Sequence, residues 1–142
     1  MRSRAGDYHV DADRLGIYGH SSGGHLALMQ AFAPEEGDKT AVDPVDRLTS
    51  RVAMAAALSA PTDFLNWGTD GVVNLGDRTK PGLFAPFQLP NIVRETVAFG
   101  VERAEKKGEE TCRSISPVSR DTQGAAPVFL NQRPHDTTLP PA

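Results

Sequence analysis

The stretch Arg14-Leu15-Gly16-Ile17-Tyr18-Gly19-His20-Ser21-Ser22-Gly23-Gly24-His25-Leu26-Ala27 decides the fold. Its first half is a short, mostly apolar run bounded by glycine, which predicts a buried strand. Its second half opens Gly23 to Ala33, rich in Leu, Ala, Met and His and apolar nearly all round, which predicts a buried helix. Pro34, Glu35, Glu36 and Gly37 end that helix. At the junction, Gly19-His20-Ser21-Ser22-Gly23 fits G-x-S-x-G. Glycine makes up 13 of the 142 residues, so the bare pattern is weak, and its position is what sharpens it. A strand that turns at once into a helix strains its elbow residue and needs small neighbours for the chain to double back. Gly19, Gly23 and Gly24 are expected to supply them. The elbow lifts the Ser21 hydroxyl above the sheet, beside helix N–H groups that favour a developing oxyanion, with the Ser22 N–H as one donor.

Outward from this core the chain alternates. Residues 1–13 are polar and short of structure, like the frayed end of a helix. Residues 34–50 form a polar loop. Val52 to Leu58 is a second strand: its alanines favour a helix, but its length and the flanking Ser59-Ala60-Pro61 favour a buried strand. Residues 67–90 hold Gly, Pro, Asn and Asp with scattered aromatics and predict an irregular excursion. Pro90-Asn91 opens a helix with Ile92, Val93, Thr96, Val97, Gly100, Val101 and Ala104 on one stripe. The charge run from Glu102 to Glu110 reads as a solvated face. Ala126-Pro127-Val128-Phe129-Leu130 is the third strand.

Composition narrows the function. At 142 residues, 39% hydrophobic and 23% charged, the chain suits one globular domain. A net charge of −3 provides no basic field for nucleic acid. No apolar run reaches the roughly 20 residues of a membrane span. The N-terminus carries arginines with no apolar stretch behind them, so no signal peptide is read. That leaves the compartment unassigned, cytoplasmic by default. Cys112, the single cysteine, excludes an intrachain disulfide and reads as an incidental small residue. His9, His20, His25 and His135 lack metal-ligand spacing, so neither metal nor cofactor is expected.

The segment from Arg14 to Ala27 resembles the nucleophile elbow of α/β-hydrolase serine esterases. The likeness is greatest to feruloyl/acetyl-xylan esterase-like and hormone-sensitive-lipase-like carboxylesterases, with prolyl oligopeptidase-type peptidases as relatives. Ala60-Pro61-Thr62-Asp63-Phe64 is similar to the stretch after the family's next strand. Ser116-Pro117-Val118-Ser119, Pro127-Val128-Phe129-Leu130 and Asp136-Thr137-Thr138-Leu139-Pro140 resemble the segment carrying the triad acid. The resemblance implies an α/β class and a partial α/β-hydrolase fold: about three parallel strands with flanking helices and an elbow at 19–23. It implies Ser21 as nucleophile and Asp136 as acid, with Ser22, His20, Gly19, Gly23 and Gly24 forming the oxyanion and pocket region. The domain spans 1–142, with a cap-like or irregular insertion around 67–110.

Two features depart from the pattern. Gln132 and Arg133 stand where the family places His-Gly. The order Ser, acid, His leaves only six residues after Asp136, none of them histidine. The expectation is therefore an ester hydrolase acting through an acyl-serine on a small-molecule ester, impaired in this chain for want of its base. A prolyl oligopeptidase-type peptidase and a non-catalytic fragment or interaction module stay open. A sheet this small also predicts self-association through exposed edges.

Overall fold

A computed structural model of the chain describes residues 1–65 and 109–134. These form β1 (Gly16–His20), α1 (Ser22–Phe32), β2 (Met54–Leu58) and β3 (Val128–Asn131). The helix expected after Asn91 and the excursion at 67–90 lie outside the described residues.

The three strands form one parallel sheet in the order β1-β2-β3. Gly16 pairs with Met54 and His20 with Leu58, while Ala55 pairs with Val128 and Leu58 with Asn131. All three expected strands and their parallel sense are therefore present. The alanines of β2 do not make it a helix, because parallel pairing on both sides overrides their local preference. They serve the packing instead. Ala55 and Ala57 are fully buried, and their small side chains let α1 lie close on that face. Leu28, Ala57 and Ala60 form the core there, with Phe32 and Val128 packed against it. Burying a side chain the size of Leu28 stabilises the fold by about 1.5–3 kcal/mol.

Two expectations change in degree. β1 is not a buried strand: its residues alternate in exposure, and Tyr18 is 78% exposed. Among the described residues it is an edge strand, and the odd-even rule of a pleat sends Tyr18 away from α1. Met54 and Phe129 share Tyr18's face of the sheet, by the pairing Tyr18–Ala56–Phe129 and the two-residue spacing from Met54 to Ala56. Nor is α1 buried all round. Gly24, His25, Ala27, Leu28 and Ala31 face inward, whereas Leu26 is exposed.

The N-terminal residues are more ordered than their polarity suggested. They form a 3-10 stretch, Arg2–Tyr8, kinked at Arg4. Arg2 ties it to the segments leading into β1 and β2 by donating to the carbonyls of Ala12 and Arg51. Downstream, residues 109–115 are helical and Pro117–Ser119 make a short 3-10 turn. Cys112 is fully buried there, a core residue rather than an incidental one. Among the described residues no helix is long and apolar enough to cross a membrane.

Candidate active site

Ser21 joins β1 to α1 with φ 56° and ψ −123°, a conformation rare for any residue bearing a Cβ. Holding it costs on the order of 1–3 kcal/mol, which the surrounding structure must impose. Two backbone hydrogen bonds do so. The Ser21 N–H donates to the Leu58 carbonyl at 2.8 Å, and the Ser21 carbonyl accepts from the His25 N–H at 3.0 Å. The Ser21 side chain does not cap the helix. The hydroxyl is thus left uncommitted at the end of α1 where N–H groups concentrate positive potential. Ser22 is the first residue of α1, so its N–H has no partner within the helix.

The glycines expected to permit this bend do not contribute equally. A Cβ on Gly19 would lie 2.2 Å from the Gly23 carbonyl carbon and oxygen, deep inside contact distance. One on Gly24 would meet the Ala60 Cβ at 2.8 Å. One on Gly23 would meet nothing within 4 Å. Gly19 and Gly24 allow helix and strand to touch. Gly23 is not sterically required, a correction to the sequence expectation, because its missing Cβ would project away from the junction.

The other site residues fall on both sides of the sheet. His20 is exposed and occupies the same face as Tyr18, the face away from α1. His25 is buried and holds the Ile115 carbonyl through Nε2 at 2.7 Å. His9 ends the N-terminal 3-10 stretch in a left-handed conformation, φ 52°. Asp136 and His135 lie outside the described residues, so the expected acid is not placed.

At the carboxyl end of the sheet the strands are linked stepwise. Ser21 donates to Leu58 at the end of β2, and Ser59 donates to Asn131 at the end of β3, both at 2.8 Å. Ser59 is buried and also has a positive φ of 45°. Sequence reasoning missed it; Ser59-Ala60-Pro61 marked only the end of a strand. The Cys112 thiol is pushed up to about 11, first by burial and then by the negative charge of Asp63, so it is inert near neutral pH.

The BD-FAE family profile matches residues 1–142, the whole of the sequence. The chain belongs to the BD-FAE family of α/β-hydrolase-like esterases. Solved structures agree on the fold of this BD-FAE chain. It is similar to an acetyl ester-xyloside bifunctional hydrolase from Caldicellulosiruptor lactoaceticus, with TM-score 0.65 and 18% identity over 98% of this chain and 42% of that one. It is likewise similar to a truncated carbohydrate esterase from gut microbiota, with TM-score 0.68 and 19% identity over 98% of this chain and 47% of that one. The chain thus spans less than half the length of either structure. Among proteins of curated function, none matches by sequence.

Proposed function

We propose that this BD-FAE chain carries the nucleophile of a carboxylic-ester hydrolase that removes acyl groups from carbohydrate. The observation that carries the reading is the backbone of Ser21, strained to φ 56° between a strand and the N-terminus of a helix. Strain of this kind persists where a function needs it. The substrate class is taken from the carbohydrate-directed esterases of similar fold.

In this reading Ser21 Oγ attacks the ester carbonyl carbon and a general base takes its proton. The carbonyl oxygen becomes an oxyanion held by the Ser22 N–H. Collapse of the tetrahedral adduct breaks the bond to the sugar oxygen, which leaves protonated, and acyl-Ser21 remains until water hydrolyses it. Asp136 is proposed to orient the base. His25 is already engaged by Ile115, so it is not proposed as that base. With no base the triad chemistry falls to about 10³–10⁴-fold over water. The 142 residues alone are therefore proposed to turn over slowly.

A fluorophosphonate probe and p-nitrophenyl acetate test this together. Labelling that maps to Ser21 and disappears in Ser21→Ala supports the reading. A folded chain that neither labels nor releases p-nitrophenol refutes it and favours a non-catalytic role.

A further inference from the structure

His25 takes no chemical step in this scheme, yet it occupies a junction. It lies one helical turn beyond Ser21, is 5% exposed, and donates its backbone N–H to the Ser21 carbonyl. Its Nε2 is 2.7 Å from the Ile115 carbonyl oxygen. That oxygen can only accept, so Nε2 must carry the hydrogen. The ring also meets Phe64 edge to face, with centroids 5.2 Å apart at 71°. Phe64 is bound in turn: its N–H donates to Ser116 Oγ at 2.9 Å, and that hydroxyl donates to the Cys112 carbonyl at 2.7 Å. Val118 N–H closes the set by donating to the Thr62 carbonyl at 3.2 Å. Residues 62–64 and 112–118 are therefore fastened to each other, and one imidazole fastens both to the helix that begins at the nucleophile.

We propose that His25 is a positioning residue for Ser21. Through the Nε2–H to Ile115 bond it fixes the first turn of α1 against residues 62–64 and 112–118, and so sets the direction of the Ser21 hydroxyl. The inference rests on the catalytic reading of Ser21. A side chain that only filled space would do the packing, but it would leave the Ile115 carbonyl without its donor. Glutamine, which keeps an N–H donor, replaces the bond; leucine does not.

The test uses the 142-residue chain and NMR of both the ring nitrogens and the Ser21 backbone. In the wild type the neutral ring carries its proton on Nε2. In His25→Leu the Ser21 Cα and Cβ shifts move, and fluorophosphonate labelling slows about tenfold, the worth of one hydrogen bond. His25→Gln restores both. A wild-type ring protonated only on Nδ1 overturns the proposal, as does a folded His25→Leu whose Ser21 shifts are unchanged. If His25→Leu does not fold, His25→Gln decides: native Ser21 shifts support the proposal and displaced ones sink it. A wild type that takes no probe refutes the catalytic reading alone, because the Ser21 shifts judge His25 without any turnover.

Discussion

Replacing Gly19 with alanine tests whether the bend at Ser21 depends on direct contact between strand and helix. The added methyl would sit 2.2 Å from two backbone atoms of Gly23, whereas carbon atoms rest at about 3.5–4.0 Å. The obstacle must retreat by more than an ångström, and it is helix backbone rather than the flexible end of a side chain. Overpacking of this kind costs about 1–3 kcal/mol and sometimes more; with backbone as the obstacle we expect about 3 kcal/mol. For a chain of this size that lowers Tm by roughly 10 °C. Gly23→Ala is the internal control. Its methyl meets nothing within 4 Å, and replacing glycine in a helix gains up to about 1 kcal/mol. Urea titrations followed by circular dichroism give both values, and probe labelling reports Ser21. A Gly19→Ala chain as stable as wild type, or a Gly23→Ala chain damaged as severely, would falsify the contact argument.

Four further outcomes are expected. Ser21→Gly should be about 1 kcal/mol more stable than Ser21→Ala in urea, since glycine adopts positive φ without strain; equal midpoints would show that Ser21 stores no strain. Cys112 should resist iodoacetamide at pH 8 until urea unfolds the chain. Its folded thiol keeps its proton to about pH 11 while the unfolded one releases it near 9.0, so its stabilising share is complete below pH 9 and is lost as pH climbs through 11; prompt labelling of folded protein contradicts this. Ser116→Ala removes the acceptor of Phe64 N–H and the donor to Cys112, and should cost about 1–3 kcal/mol in thermal melts; an unchanged Tm would mean the hydroxyl adds nothing. Finally, Tyr18 and Phe129 lie on one exposed sheet face, so changing both to lysine should reduce self-association in sedimentation velocity; an unaltered distribution places the contact elsewhere.

The elbow was legible because its signals agree: an apolar run, a G-x-S-x-G and an apolar helix in immediate succession. The three strands followed from short apolar runs between turn residues, and their parallel sense from the resemblance to α/β-hydrolases. What was not legible depends on residues far apart in the chain. Tyr18 looked buried because it sits in an apolar strand, but a strand's own sequence does not say whether anything covers its second face. Cys112 looked incidental because its neighbours are polar, whereas its burial comes from a helix packed near Asp63 and Phe64. Gly19 and Gly23 are indistinguishable in the motif, since only the direction of an absent Cβ separates them. His25 showed only a lack of metal-ligand spacing in the sequence, and its bond to Ile115, 90 residues away, has no local signature.

The stepwise bonds at the carboxyl end of the sheet make a staircase whose treads are peptide groups. From Asn131 to Ser59, and from Leu58 to Ser21, every tread is main chain, so no side-chain replacement can cut it directly. The carbonyls of Leu58 and Asn131 accept these bonds whatever side chain each residue bears. A tilt of β3 passes through Ser59 and Leu58 to the backbone of Ser21 all the same, so a change near residue 131 reaches a serine it never touches.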